Sequence, residues 1–385
     1  MFVVILYNRR VLRPIMDKTK VAVFTAIVMV IACFASLPAE ADAVIAVQDG
    51  LGNSFVFDSP VEHVISIGVG PTATVIGVGA LDKIAVADNY SYNNKDTLFD
   101  GLRERVDAGE TLAGGNIYSS GKAQLKTDII ASSDPDTGTF DRGSDAVIVT
   151  GSDTYRNNIV PDLEELGFRY ILQWYDITDY DGIVKFAETV SKVCTGKVSS
   201  AVDEMVFIPG YIEERVDGAG VEHSEAFYVT YSAGVFKVCN TGSLSASMID
   251  AACGSVITRD SSRSEATYEA SITSIVESHD GCIVFVDNTV HSNESLMQSL
   301  RDSVGGHATL VNLKQIWNNY CIESVDGVWC MACAMYPELF EGDIPVDEGG
   351  GTSDVVLYAT AGIICAVAIA VVSAVYMRNR LKVAS

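Results

Sequence analysis

Basic residues are scarce in this sequence. Lys and Arg together number 26 against 50 Asp and Glu, which gives a formal net charge of −24. A strongly acidic surface repels nucleic acid and anionic lipid, and no basic stretch interleaved with aromatic residues is present. The composition therefore argues against nucleic-acid binding.

Histidine is also rare, and its five copies are not grouped as H-x-H or H-E-x-x-H. A pocket that binds a bare metal ion through several imidazoles is therefore not predicted. No G-x-S-x-G motif for an activated serine occurs, and no pair of acids stands in a catalytic motif. An enzyme is accordingly the weaker class, and no resident cofactor is expected.

Long hydrophobic runs occur only near the two ends. The first, residues 21–37, follows several basic residues and precedes the small residues Ala39 and Ala41. This pattern is typical of a secretory signal, which we assign to residues 1–41, with 1–15 a start-site artefact if translation begins at Met16. A lipoprotein cleavage box at residues 30–33 is a weaker alternative.

The second run, residues 355–377, has about 23 residues and would extend about 34 Å as a helix, enough to cross a bilayer. Three basic residues, Arg378, Arg380 and Lys382, follow it, whereas the preceding stretch has acids and no Lys or Arg. The positive-inside rule therefore predicts a transmembrane anchor with a cytoplasmic tail, residues 378–385, and the remainder of the chain outside the cytoplasm.

About 300 residues remain for the outer portion, which is too many for one average core. Apolar strands, Gly-rich turns and helices alternate along it, which is typical of α/β units on a parallel sheet. We predict strands at 64–67, 84–87, 146–149, 170–172, 226–230, 282–286 and 309–311. Helices are predicted at 158–166, 245–253, 267–277 and across 182–216, with interruptions at 195–196 and 209–210.

These elements predict two α/β lobes joined by a helical bridge. The boundaries are 42–180 for the first lobe, 181–216 for the bridge, 217–340 for the second lobe and 341–354 for an acidic, Gly-rich linker. Gly68 and Gly70 follow the first strand and open a helix, with Asp88 after the next strand. This resembles a dinucleotide fingerprint, but the helix is short and glycine-rich, so a ligand crevice at a helix N-terminus is the preferred interpretation.

Several segments, in this order and spacing, resemble the cobalamin and ferric-siderophore class of ABC-transporter substrate-binding proteins. They are DGLGNSFVF at 49–57, VEHVISIG at 61–68, TAT at 72–74, GALDKIAVADNYS at 79–91, DAVIV at 145–149, LEELGF at 163–168 and MACAMYPELF at 331–340. The resemblance implies two lobes that move little, a rigid connecting helix over 198–216, and delivery of the ligand to a permease and its ATPase. Pro209 is expected to kink or break that helix.

By position in that family, both lobes line the cleft. The implied ligand-binding residues are Val69, Gly70, Pro71, Thr72, Asn89, Tyr90, Trp174, Tyr175, Tyr231, Ser232, Arg259, Asn288 and Trp317. The implied ligand is a corrinoid, a ferric siderophore or haem, and aromatic residues suit all of these, because Trp and Tyr cover flat apolar area at low entropic cost. Cobalamin is placed slightly ahead as a choice within the family. For Tyr90, Trp174 and Trp317, the alternative that they are ordinary core or rim aromatics carries the same weight as a ligand-binding role.

The family also has a Glu on the outer face of each lobe that meets the permease. Neither corresponding stretch has it, and Asp128 and Glu269 are the nearest substitutes. The mismatch puts delivery to a standard permease in doubt and leaves a second hypothesis open, a surface receptor or scaffold with the same fold but no transporter.

Nine cysteines are present, and Cys330 and Cys333 form a C-x-x-C pair. Residues three apart share one helix face, and free Cys is usually buried, so core packing is the preferred interpretation. Thiol chemistry, or a metal site with Cys321 and His307, is the alternative.

Overall fold

The computed structural model describes residues 44–342, apart from 119, 152, 175 and 176 and the side chains of 153–156. The signal, the lipoprotein box, the segment 355–377 and the tail 378–385 lie outside this range, as do linker residues 343–354. Within the described residues, no helix combines the length and apolar character that crossing a membrane requires.

The first lobe begins with an antiparallel hairpin and continues as a parallel sheet in the order β4-β3-β5-β6. Strands β3, β4 and β5 are buried along their whole length, as expected when helices cover both faces of a sheet. Its elements are β1 (Ile45–Gln48), β2 (Ser54–Phe57), β3 (Val64–Ile67), α1 (Val69–Gly77), β4 (Ile84–Ala87), α2 (Asn89–Tyr92), α3 (Asp100–Asp107), α4 (Lys122–Ser132), β5 (Ala146–Thr150), α5 (Asp153–Glu165) and β6 (Tyr170–Trp174).

Two helices follow, α6 (Tyr180–Thr195) and α7 (Ser200–Ala219), and then the second lobe. Its sheet has the order β10-β8-β7-β11-β12, with the short β9 also paired to β7. Its elements are β7 (Glu225–Ser232), β8 (Val235–Cys239), α8 (Leu244–Ala251), β9 (Ser255–Val256), β10 (Thr267–Glu269), α9 (Ile272–Ser278), β11 (Cys282–Val286), α10 (Asn288–His291), α11 (Glu294–Val304), β12 (Ala308–Asn312) and α12 (Ser324–Met335).

The second sheet is mixed, which the sequence did not indicate. Strand β8 turns back on β7 and pairs with it antiparallel, and β10 pairs antiparallel with β8. The helix predicted at 267–277 is therefore wrong in its first part, because Thr267–Glu269 adds an edge strand and α9 starts at Ile272. Apolar spacing alone does not separate strand from helix in so short a run.

The interruption predicted at Pro209 does not occur, because α7 runs from Ser200 to Ala219. Proline has no N–H, so the carbonyl four residues earlier, that of Met205, loses its helical donor. The hydroxyl of Tyr180, from α6, donates to this carbonyl over 3.1 Å. An outside donor thus satisfies the carbonyl that proline leaves free.

Buried apolar side chains are continuous between the lobes. One face of the first sheet, α6, α7 and the second sheet with its helices share a single apolar core, whereas the other face of the first sheet packs in a separate core with α4 and α5. Helix α7 packs against α6 and α12. A shared core resists large rotations of one lobe against the other.

Candidate functional site

The carboxyl ends of the parallel strands of the two lobes meet at one contact. Helix α1 starts directly after β3, and a Cβ placed on Gly70 would clash with the carbonyl oxygen of Asn319 and lie 3.1 Å from that of Tyr320. Asn319 and Tyr320 follow the 3-10 turn Gln315–Asn318, shortly after β12. Glycine at position 70 is therefore what lets the second lobe lie on the N-terminus of α1.

The predicted ligand residues at the start of α1 are mostly covered. Val69 is half-buried, and Gly70, Pro71 and Thr72 are buried. The Thr72 hydroxyl donates to the Gly68 carbonyl over 2.9 Å and lies 2.9 Å from the Ser66 hydroxyl. The hydrogen bonds of the Thr72 hydroxyl are thus made inside the first lobe. Residues 69–72 therefore define the shape of the crevice and mostly do not face a ligand.

Asp88 directly follows β4, is buried, and caps the N-terminus of α2. It accepts hydrogen bonds from the backbone N–H of Ser91 over 2.8 Å and from the Ser91 hydroxyl over 3.0 Å. Burial raises the pKa of the Asp88 carboxyl, and these hydrogen bonds oppose the rise. Asp88 thus fixes α2, and with it Asn89 and Tyr90, at the edge of the sheet.

Two exposed tyrosines and two more covered asparagines beside this edge form the tyrosine patch: Tyr90, Tyr118, the half-buried Asn89 and the buried Asn116. Tyr90 and Tyr118 are 49% and 43% exposed, and their rings meet edge to face with centroids 5.4 Å apart. The Asn116 amide donates to the Asn89 side-chain oxygen over 3.1 Å and accepts from the Tyr118 backbone N–H over 2.9 Å. Two aromatic rings and a bonded amide pair thus stand side by side.

Sequence reasoning missed Asn116 and Tyr118. The sequence feature that could have revealed them is the Gly-rich loop 114–121. In this loop a Cβ on Gly115 would clash with the backbone of Leu125, and a Cβ on Gly121 would clash with the Asn116 amide. Asp128 anchors the same loop by accepting from the Gly114 N–H over 2.8 Å. Glycines that permit such close approach indicate a loop held in one shape.

The two predicted tryptophans have unsatisfied indole groups. Trp174, at the end of β6, is buried against Phe186 with ring centroids 5.5 Å apart. Trp317 is half-buried in the 3-10 turn, with the Lys314 ammonium 5.1 Å from its ring centroid. Neither buried indole N–H has an acceptor among the described residues. Tyr175 lies outside the described residues.

The remaining predicted ligand residues have their recorded partners within the second lobe. The Tyr231 hydroxyl donates to the Gly234 carbonyl over 2.9 Å in the β7–β8 turn, and the adjacent Ser232 is exposed. Arg259 is exposed and forms an ion pair with Asp250. Asn288 is half-buried at the start of α10.

A hydrogen-bond chain holds the contacting segment of the second lobe. The Tyr228 hydroxyl, on β7, donates to the Asp287 carboxylate at the end of β11 and accepts from the Asn318 amide over 3.1 Å. Burial and the nearby carboxylate raise the pKa of the Tyr228 hydroxyl, so it remains a donor. Three elements thereby fix the position of residue 319 against α1.

The two candidate permease contacts differ in exposure. Asp128 is only 7% exposed, and both of its carboxylate oxygens accept hydrogen bonds, from Gly114 and from the Gln124 amide, each over 2.8 Å. Glu269 is exposed at the end of the edge strand β10. The geometry gives Asp128 a role in holding loop 114–121.

The seven cysteines of the described region are all free, and only Cys330 and Cys333 are more than slightly exposed. Burial raises the pKa of every one of these thiols, to about 12 for Cys194. Protonated thiols are weak nucleophiles. Among the described residues, no group of three His, Cys, Asp or Glu has the arrangement of a metal site.

No protein-family model matches the sequence, and no curated protein matches it. Solved structures of similar fold include Helicobacter pylori CeuE with Ni(II) bound, at 14% identity and a TM-score of 0.52, over 78% of this chain and 91% of that chain. The TroA-like periplasmic binding protein FepB from Veillonella parvula has 12% identity and a TM-score of 0.55, over 77% and 91%.

A periplasmic heme-binding protein from Pseudomonas aeruginosa has 13% identity and a TM-score of 0.52, over 74% of this chain and 96% of that chain. The latter two are periplasmic binding proteins by their descriptions. The agreement with the architecture that the sequence predicted is at the level of fold: this chain has the two-lobed α/β fold of the TroA-like periplasmic binding proteins.

Proposed function

We propose that this protein is the extracytoplasmic substrate-binding component of an ABC importer and takes a metal chelate between its lobes. The shared fold supports this, because ligands of open α/β sheets bind at the carboxyl ends of the strands, where both lobes meet here. Structural neighbours bind nickel or heme according to their descriptions. A binding role rather than catalysis also agrees with the protonated thiols.

The tyrosine patch is the observation that carries the proposal. Two exposed aromatic rings at the rim of the interlobe contact offer flat apolar area, and Tyr loses few rotamers when it is covered. The half-buried Asn89 amide beside them, which the buried Asn116 amide holds in place, can hydrogen-bond a ligand's polar substituent. A rigid macrocycle with a polar periphery fits this combination.

Within the proposed ligand class, cobalamin remains ahead of a ferric siderophore or haem. Arg259, at a predicted ligand position of the second lobe, is paired with Asp250, and Arg263, four residues further along, is paired with Asp260. A chelate with several negative charges would have to displace these acids, whereas a corrinoid with amide side chains would not.

The proposed organisation follows the sequence. Residues 1–41 are the signal, 42–180 and 217–340 the lobes, 181–216 the bridge, 341–354 the linker, and 355–377 a single-pass anchor with a cytoplasmic tail. The permease and ATPase subunits are the proposed partners. Glu269 is the better candidate for permease contact, because Asp128 is engaged inside its own lobe.

The test is a ligand screen of the purified full chain by thermal shift and absorbance against cobalamin, cobinamide, haem and several ferric siderophores. A ligand at 100 times its dissociation constant adds about 2.7 kcal/mol of stability. Tyr90→Ala and Tyr118→Ala should each weaken binding of the responding compound about tenfold, the effect of losing a contact worth over 1 kcal/mol. Val206→Ala, at an exposed position on α7, is the matched control and should bind normally.

A surface receptor or scaffold with this fold is the second candidate, and the internal role of Asp128 favours it. Because the Asp128 carboxylate on α4 is hydrogen-bonded inside its own lobe, one of the two expected permease contacts has no free carboxylate. A folded protein that responds to none of the compounds would support this candidate, whereas binding that ignores both tyrosine substitutions would remove the patch from the site.

A further inference from the structure

The tripeptide Asn-x-Ser/Thr, in which x is not proline, occurs twice in the sequence, at residues 89–91 (NYS) and 293–295 (NES). This tripeptide is the acceptor motif for N-linked glycans in exported proteins, where the modified asparagine lies on the surface. Each lobe has one copy: Asn89 is the first residue of α2, and Asn293 directly precedes α11. The two copies differ in how the folded chain presents them.

The copy in the second lobe is open to solvent. Asn293, Glu294 and Ser295 are all exposed, in the connection between α10 and α11. The Asn293 side-chain oxygen caps α11 by accepting from the backbone N–H groups of Ser295 over 3.1 Å and of Leu296 over 3.2 Å. Among the described residues, neither the Asn293 amide nitrogen nor the Ser295 hydroxyl has a hydrogen-bond partner. Both groups that define the motif are therefore accessible.

A substituent on the Asn293 nitrogen is compatible with the start of α11. The cap uses the carbonyl oxygen of the side-chain amide, and this oxygen remains an acceptor when a sugar replaces one hydrogen on the nitrogen. The helix contacts the lobe through Met297, Leu300 and Val304, which are buried, whereas Asn293 is exposed. The helix cap and the core packing of α11 therefore persist in a glycosylated protein.

The copy in the first lobe is covered by its own fold. Asn89 is half-buried, and its side-chain oxygen accepts from the Asn116 amide over 3.1 Å. Ser91 is fully buried, and its hydroxyl donates to the Asp88 carboxylate over 3.0 Å. The serine of this motif is thus inaccessible in the folded protein, and a glycan on Asn89 would stand inside the tyrosine patch.

We propose that Asn293 carries an N-linked glycan and that Asn89 does not. The Asn293 amide nitrogen forms a bond to the anomeric carbon of an oligosaccharide carried on a lipid phosphate. The bond between that carbon and the phosphate oxygen breaks, the lipid phosphate leaves with the bonding electrons, and the nitrogen loses one proton. The inference rests on the proposed location outside the cytoplasm, because this motif is an acceptor in exported proteins.

Peptide mass mapping of the full chain, purified from its natural host, tests this proposal. The peptide with Asn293 should show the added mass of a glycan, and the peptide with Asn89 should have its bare mass. Asn293→Asp should lose the added mass and still fold, because Asp caps a helix as well as Asn does but has no amide nitrogen. Ser295→Thr preserves the motif and should keep the glycan, as should Ser299→Ala, the matched control at an exposed position on α11.

A bare Asn293 peptide, a glycan on Asn89, or a glycan that persists in Asn293→Asp would each overturn the proposal. Labelling of intact cells with a membrane-impermeant amine reagent measures the location separately. A protein that is labelled but has no glycan contradicts this inference alone. A protein that is neither labelled nor glycosylated contradicts both this inference and the proposed location.

Discussion

At the scale of single residues, Tyr180 and Pro209 depend on each other. The proline leaves the Met205 carbonyl without its helical donor, and the tyrosine hydroxyl supplies another from α6. Both Tyr180 and Met205 are buried, so water has no access to that carbonyl. The continuity of α7 thus depends on a residue outside it.

Tyr180→Phe should lower the free energy of unfolding by about 1–3 kcal/mol, because a buried carbonyl loses its only replacement donor. Urea denaturation measures the change. Tyr92→Phe is the control, since its hydroxyl bonds Asp107 at the surface, and it should change stability by less than about 0.5 kcal/mol.

Tyr180→Phe should have a smaller effect on stability when residue 209 is alanine. The alanine N–H can donate to the Met205 carbonyl, so Tyr180→Phe in the Pro209→Ala background should cost clearly less than in the natural protein. Equal costs in the two backgrounds would show that the hydroxyl does not compensate for the proline.

At the scale of elements, the first lobe's proposed binding surface depends on how a loop is attached to a helix. Loop 114–121 carries Asn116 and Tyr118, and Asp128 on α4 fixes its start. The Asn89 N–H also donates to the Gly115 carbonyl over 2.7 Å, which ties the loop to α2. The tyrosine patch is therefore assembled from two chain segments held in register.

Asp128→Ala should lower stability by about 1–2 kcal/mol and weaken ligand binding, because the loop loses its anchor. Glu269→Ala, at the exposed end of β10, should leave stability unchanged within about 0.5 kcal/mol. Denaturation and binding measurements on both variants check this. An Asp128→Ala protein with natural stability and binding but impaired uptake would instead assign Asp128 to the permease.

At the scale of the whole molecule, one apolar core extends through α6 and α7 into both lobes. The interlobe contact belongs to the same core, because Ile316, Cys321, Ile322 and Val325 pack in it together with residues of α1. Such a core resists a rotation of whole lobes against each other.

Cysteine accessibility reports on the same core. An alkylating reagent at pH 8 should label the native protein slowly at the half-buried Cys330 and Cys333. The five buried cysteines should be labelled only on unfolding, because burial keeps these thiols covered and protonated: Cys194, Cys239, Cys253, Cys282 and Cys321. Peptide mass mapping of native and unfolded samples measures this. Labelling of Cys330 or Cys333 at the rate of a free thiol would revive the thiol-chemistry hypothesis.

The sequence by itself determined the strands β3, β4, β5, β6 and β11 and the two-lobed α/β plan, because periodic apolar residues and glycine turns are local features. Only tertiary structure decided that β10 pairs antiparallel with β8, that Pro209 stays inside a helix, and that Tyr118 and Asn116 stand beside Tyr90. Each of these rests on a partner distant in the chain, and the free energy of such a contact is absent from any local pattern.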